Sequence, residues 1–201
     1  VLSCRGVRVY YVLTDALAWQ DYAHLTARID PKAQQKIAAF KSEQDKLNCL
    51  LGRILLSQAI NDLKLGSNIA DLHHSPLGKA SLPGMEFSIS HSSGLVVLSA
   101  ALDRPNGIDC EELKPVEPGD FRDYFSRKEW DDLEASSDPL TGFNRIWTRK
   151  EALLKAIGTG LQNQLNRIDV SASRMKNHNC NWSFKELELR PGYLVSLCYK
   201  D

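Results

Sequence analysis

The stretch "DRPNGIDCEE", residues 103–112, divides this chain and decides how the rest is read. Its Asp-Arg-Pro-Asn run breaks the pattern before it, and Gly107 to Glu111 then read as a buried strand. Upstream, "FSIS" (87–90) alternates strictly, "HSSG" reads as a turn and "LVVLSAAL" (95–102) as the second strand of a hairpin. "VRVYYVL" (7–13) is another strand. Asp30 before Pro31 opens a short helix toward Phe40. Ser42 caps a longer one, in which Leu47, Leu50, Leu51, Ile54 and Leu55 recur at helical spacing until Gly66. Residues 69–84 read as loop. Downstream, Ser126 and Glu129 form a capping box for "RKEWDDLEA", and a helix runs from about Phe143 to Ile157, closed by Gly158 and Gly160. "WSFKELEL" and "YLVSLCYK" are late strands around Pro191–Gly192. Strands and helices mix without a βαβ alternation, so the class is α+β, and the halves divide near 104–106.

The divided strand raises a chemical question. Residues two apart on a strand share a face, so Asp109 and Glu111 point one way while Ile108 and Cys110 point the other. Two carboxylates about 4 Å apart repel by roughly 4 kcal/mol at an effective dielectric near 20. A cation, a shared proton or basic side chains must offset that. On its own an Asp-x-Glu is more often a solvated edge strand.

Bulk composition bounds the answer. The 201 residues carry 25 Lys and Arg against 25 Asp and Glu, and this neutrality argues against a broad basic face for nucleic acid. Five cysteines without a CxxC leave no zinc ribbon and fit a reducing compartment. No apolar run is long enough to span a bilayer, and the start of the chain lacks a signal peptide's apolar region, so a cytoplasmic protein without a membrane is expected.

Three further segments bear on the acids. "RIWTRKEALLKAIG" (145–158) places Trp147, Glu151 and Lys155 on one helix ridge, opposite the apolar Ile146, Leu153, Leu154 and Ile157. An ordinary Glu–Lys pair accounts for the charges, but a Trp on the same ridge suggests that the ridge is partly covered. His91 ends a hairpin strand between Ser90 and Ser92, without the nucleophile elbow of a hydrolase. In "PLGKA" (76–80), Gly78 frees the backbone and Lys79 offers a cation at a loop tip.

In this order the pieces resemble the 4′-phosphopantetheinyl transferases, specifically the Sfp-type group. The family's G-I-D-x-E reads "GIDCE" (107–111), and its W-[ST]-x-K-E-[AS]-x-x-K reads "WTRKEALLK" (147–155). Its F-[NS]-[IL]-S-H-S reads "FSISHS" (87–92), and its G-K-P loop reads "GKA" (78–80). The resemblance implies transfer of the phosphopantetheine arm of coenzyme A to a serine of an apo acyl or peptidyl carrier protein, with Mg²⁺ and release of 3′,5′-ADP. It implies a pseudo-dimer of two similar α/β half-domains with the active site at their interface. Residues 1–104 would hold coenzyme A and 105–201 the metal site and catalytic helix, and such a chain is expected to be a monomer. By the same resemblance Asp109, Glu111 and Glu151 are metal ligands, Glu151 is the base toward the carrier serine, and Lys155 contacts phosphate. Lys36, Lys79, Ser90 and His91 are expected to hold coenzyme A. Mg²⁺ suits such a set, because it takes oxygen ligands from a few carboxylates and a substrate's phosphates.

The chain departs from the family pattern at Ala80, where Pro is usual, at Cys110, where an aliphatic residue is common, and at Asn48, where relatives often carry a basic residue. Cys110 is expected to face the core. The basic and aromatic "FRDYFSRKEW" (121–130) is the candidate carrier-docking segment, beside the alternative of an ordinary amphipathic helix. Two other functions stay open at this point: a metal-dependent phosphoesterase acting on coenzyme A or nucleotides, and a non-enzymatic coenzyme A-binding relative.

Overall fold

A computed structural model describes residues 1–160, 165–177 and 179–201. The first half of the chain runs through strands β1 (Leu2–Cys4) and β2 (Val7–Leu13), helices α1 (Trp19–Tyr22), α2 (Pro31–Ala39) and α3 (Glu43–Asp62), the short β3 (His73–His74) and β4 (Ala80–Ser81), and the hairpin β5 (Glu86–Ser92) with β6 (Leu95–Ala101). The second half holds β7 (Asn106–Glu112), α4 (Arg127–Glu134), α5 (Pro139–Ile157), β8 (Arg174–Asn177), β9 (Cys180–Glu186) and β10 (Tyr193–Lys200). Two four-stranded sheets result, ordered β1-β2-β6-β5 and β7-β10-β9-β8, with every neighbouring pair antiparallel. The mixed α and β class read from the sequence is therefore found.

Each sheet carries one long helix on one face. Helix α3 starts where Ser42 accepts from the Asp45 amide, and it packs Leu56, Ala59 and Ile60 against Tyr10, Leu98 and Ala100 of the first sheet. Helix α5 packs Ala152, Leu153 and Ala156 toward Phe184 and Cys198 of the second. The other faces of the sheets meet, and Val7, Val9, Leu95 and Val97 form one core with Ile108, Cys110, Val195 and Leu197. This explains why "LVVLSAA" carries no charged side chain and a single polar one, Ser99. All seven residues of β6 are buried, with a helix on one side and a sheet on the other. Among the described residues no helix is long and apolar enough to cross a membrane.

Several boundaries differ from the sequence reading for local reasons. Helix α3 stops at Asp62 rather than near Gly66, because Lys64 takes a left-handed backbone (φ 53°). Helix α5 starts at Pro139, a turn before Phe143, where Asp138 accepts from the Thr141 amide and Pro sits in the first turn. His91 and Ser92 are the last residues of β5, so the hairpin turn is only Ser93–Gly94. The 69–84 loop contains the β3–β4 ribbon, and β1, α1 and β8 lacked a long enough pattern to be read.

Candidate active site

Gly107 brings the two helix- and strand-borne parts of the site together. A Cβ there would lie 2.0 Å from the Ala152 carbonyl oxygen and 2.5 Å from the Ala156 nitrogen, so α5 rests directly on the β7 backbone. Gly107, Asp109 and Glu111 share the α5 side of β7, while Ile108 and Cys110 enter the inter-sheet core as expected. Glu151 and Lys155 each precede one of the alanines that touch Gly107, which sets them beside the acids. Burial, and then the charge of Asp109, push the Cys110 thiol up to about 12, so it is an inert core group.

Asp109 is buried, and its Oδ1 accepts from Ser90 Oγ at 2.8 Å and Lys155 Nζ at 2.6 Å. The same ammonium donates to Ser90 Oγ at 2.9 Å. Glu111 Oε2 accepts from Ser92 Oγ at 3.0 Å. The acids of β7 are thus faced by serines of β5, which belongs to the other sheet. Asn106 adds another tie, accepting from Ser99 Oγ at 2.6 Å and donating to the Glu86 carbonyl at 3.0 Å.

The electrostatics register crowding. Burial, and then the Asp109 charge, raise the Glu151 carboxyl above its usual range, and Lys155 opposes the shift. Burial and Asp109 raise Glu111 as well, against the Ser92 hydroxyl and Lys155, with a smaller push from Glu151. Asp109 Oδ2 is buried without a hydrogen-bond partner. A lone pair left bare beside two crowded carboxylates suits a hard cation with oxygen ligands. Among the described residues no three His, Cys, Asp or Glu side chains already form a metal-holding group. Here the Lys155 ammonium supplies the positive charge at Asp109.

Glu151 and Lys155 line a cleft of about 490 Å³ that runs toward the first half of the chain. Its wall is basic, with Lys36 and Lys79 as expected from the sequence. Lys32, Arg53 and His74 were not singled out. Lys32 lies one turn before Lys36 on α2, a spacing that a scan for i,i+4 cations would have found. Arg53 comes from α3 and is held by Asp30, whose Oδ2 lies 2.8 Å from its Nε while Oδ1 caps α2. That pairing cannot be read from spacing. Asn48 is buried and accepts from Gln44 rather than lining the cleft.

Two expected coenzyme A residues have protein partners. Lys79 donates to the Ala156 carbonyl at 2.8 Å and to Glu86 at 3.2 Å, and its stem lies across Gly158, whose φ of 82° ends α5. Ser90 is engaged with Asp109 and Lys155, as above. His91 is exposed at its surface, yet lost hydration, followed by Lys155 and Lys36, holds its pKa below the usual value. Its imidazole is therefore neutral at pH 7.

Trp147 is covered by Phe121 and Tyr124, with centroids at 5.1 and 5.9 Å, as its place on the Glu151 ridge suggested. The same packing corrects the picture of 121–130 as a basic and aromatic surface. Phe125 is fully buried and Phe121 packs on Phe143, leaving Arg122, Tyr124, Arg127 and Lys128 outside. Glu129 does more than close its capping box. It is wholly buried and paired at 2.8 Å with the equally buried Lys150, which also donates to the Leu165 and Ile168 carbonyls. Burial pushes the Lys150 pKa down, and Glu129 opposes this.

Comparison with known proteins finds relatives over most of the chain. The model of the 4′-phosphopantetheinyl transferase superfamily matches residues 105–198, which hold the acid strand, α5 and the strands beneath it. A 4′-phosphopantetheinyl transferase of Bacillus subtilis, ffp, is 28% identical over 207 residues, spanning 96% of this chain and 92% of its own. The transferase Sfp of Bacillus subtilis strain 168 is 27% identical over the same shares of both chains. The L-aminoadipate-semialdehyde dehydrogenase-phosphopantetheinyl transferase of Xenopus laevis is 31% identical over 72% of this chain and 54% of its own. The two bacterial relatives extend the likeness across the strands and cleft of the first half, beyond the reach of the superfamily model, so that nearly the whole chain is similar to 4′-phosphopantetheinyl transferases of the Sfp type.

Proposed function

We propose that this protein transfers the 4′-phosphopantetheine of coenzyme A to a serine hydroxyl of an apo acyl or peptidyl carrier protein and releases 3′,5′-ADP. The observation that carries the reading is the junction of a basic cleft with crowded carboxylates through one helix, which contributes both Glu151 and Lys155. In this reading Lys32, Lys36, Arg53 and Lys79 hold the phosphates and nucleotide end of coenzyme A, with Ser90 and His91 at the strand edge nearer the acids. Lys155 turns from Asp109 to the pyrophosphate when substrate enters, a move its long stem permits. Glu151, kept basic by its raised pKa, takes the proton of the carrier serine. The serine oxygen bonds to the phosphorus that bears pantetheine. The bond from that phosphorus to the oxygen of the 3′,5′-ADP phosphate breaks, and Lys155 faces the charge left on the departing oxygen.

Asp109, Glu111 and Glu151 are the residues to hold Mg²⁺, which supplies charge neutralisation at the pyrophosphate. The bare Asp109 Oδ2 supports this assignment. The similar build of the two halves, each an antiparallel four-stranded sheet with a long helix, supports a pseudo-dimer of residues 1–104 and 105–201 with the site at its seam. One chain then supplies both sides of the site, and a monomer is expected. Carrier docking is assigned to Arg122, Tyr124, Arg127 and Lys128, where a basic surface suits an acidic carrier.

The test is incubation with coenzyme A, Mg²⁺ and a panel of apo carriers, read by mass spectrometry. A phosphopantetheine mass gain on a carrier serine is expected, lost in Glu151→Gln and dependent on the divalent ion. Hydrolysis of coenzyme A with no carrier modified would replace transfer by phosphoesterase action. Binding without turnover would leave a coenzyme A-binding protein.

A further inference from the structure

Ser92 has both of its hydrogen-bonding directions taken by the opposite sheet. Its Oγ accepts from the Glu112 amide at 3.1 Å and donates to Glu111 Oε2 at 3.0 Å. A hydroxyl has one proton, so once its lone pair receives the amide the proton is aimed at Glu111. Ser92 is thus a fixed donor that selects one orientation of that carboxylate.

What keeps Ser92 there is the adjoining turn. Ser93 takes a left-handed backbone with φ 42°, a strained conformation for a residue with a Cβ. Three side chains from the second half of the chain hold this turn. Tyr193 Oη accepts from the Gly94 amide at 3.2 Å, Arg190 NH1 donates to the Gly94 carbonyl at 3.1 Å, and Lys114 Nζ donates to Ser93 Oγ at 3.2 Å. The Arg190 guanidinium also lies 4.8 Å over the Tyr193 ring and pairs with Asp15 at 2.5 Å. The fit has no slack, since a Cβ on Gly94 would sit 2.0 Å from Asp15 Oδ1 and 2.6 Å from Arg190 NH1. Tyr193 also pairs with Glu112 in the β7–β10 ladder, so the grip is referenced to the acid strand itself.

We propose that Ser92 is the positioning residue of Glu111, and that Arg190 and Tyr193 set its place by gripping the Gly94 turn from the other sheet. The inference rests on the assignment of Glu111 to the divalent ion made above. It adds that the ion's geometry depends on a clamp outside the cleft, built from residues that touch neither substrate nor ion.

Mn²⁺, followed by electron paramagnetic resonance on the full chain with coenzyme A present, reads the clamp directly. Ser92→Ala is expected to weaken Mn²⁺ about tenfold, the usual effect of removing a group that orients a ligand. Ser92→Thr, which keeps the hydroxyl, should restore affinity to within about threefold. Arg190→Gln and Tyr193→Phe should each weaken it by about threefold, yet add nothing to Ser92→Ala, because they act through the same hydroxyl. Coenzyme A affinity measured without divalent ion should be unchanged in Arg190→Gln. Wild-type Mn²⁺ affinity in Ser92→Ala would overturn the inference, as would an Arg190→Gln effect that persists in full on the Ser92→Ala background. Wild-type protein that binds no Mn²⁺ would overturn the ion assignment, and the role of Ser92 with it. Arg190 is partly exposed, so its variant reports even if Ser92→Ala folds poorly.

Discussion

Substituting Gly107 by alanine tests how the site is assembled. The new methyl would meet the Ala152 carbonyl oxygen at 2.0 Å, roughly 1.4 Å inside the 3.4 Å at which ordinary contact begins. Both nearest atoms, this oxygen and the Ala156 nitrogen at 2.5 Å, are helix backbone and cannot turn aside. Helix α5 must therefore lift from β7 by about an ångström, or the strand must bend, and such overpacking destabilises by about 1–3 kcal/mol. For a chain of this size that lowers Tm by roughly 2–12 °C. The same shift carries Glu151 and Lys155 away from Asp109, and misplacement by about 1 Å can lower turnover about a hundredfold. Calorimetry and a carrier-loading assay, run well below the variant's Tm, separate the two effects. A Gly107→Ala protein with wild-type Tm and turnover would refute the claim that direct helix-on-strand contact sets this geometry.

Glu151→Gln should lose transfer but melt higher than wild type in metal-free buffer at pH 7. The sign follows from Glu151 and Glu111 having folded pKa values raised above 4.5. Their protonated forms favour the fold at low pH, and this contribution is lost as pH rises through the raised values. The gap between variant and wild type should close toward pH 4.5, and a gap that widened there would contradict the crowding argument. Lys150→Met leaves Glu129 buried without its cation, a change of about 3–5 kcal/mol that should lower Tm by roughly 10 °C. A fall under 2 °C, within about half a kcal/mol, would show that the pair is not what holds that region. Arg127→Glu, at a side chain 90% exposed, should slow carrier modification with coenzyme A affinity unchanged. Weakened coenzyme A binding would place that segment at the nucleotide instead.

The acidic strand was legible because its chemistry is local. Alternation puts Asp109 and Glu111 on one side and Cys110 on the other whatever the rest of the chain does. Glu151 and Lys155 were legible for the same reason, as positions on one ridge. The partners of those residues were not. Ser90 and Ser92 meet Asp109 and Glu111 only because two sheets pack together, and neither spacing nor composition carries that register. Arg53 and Lys150 were missed for a related reason. A cation inside an amphipathic helix reads as surface until the structure shows Asp30 against one and Glu129 against the other. A short basic segment gives no sign of a neighbouring helix, yet all four aromatics of 121–130 pack onto α5 or its core.

The shared core between the sheets bears on what happens when the polypeptide is severed. A cut at Asp103, in the turn between β6 and β7, would leave each fragment with a complete sheet and a complete helix layer. Each would also bare one side of an apolar seam, Val9, Leu95 and Val97 on one piece and Ile108, Val195 and Leu197 on the other. Fragments made separately should cling to copies of themselves or precipitate. Made together, they should find each other and regain a working catalyst, since every side chain of the site survives the break.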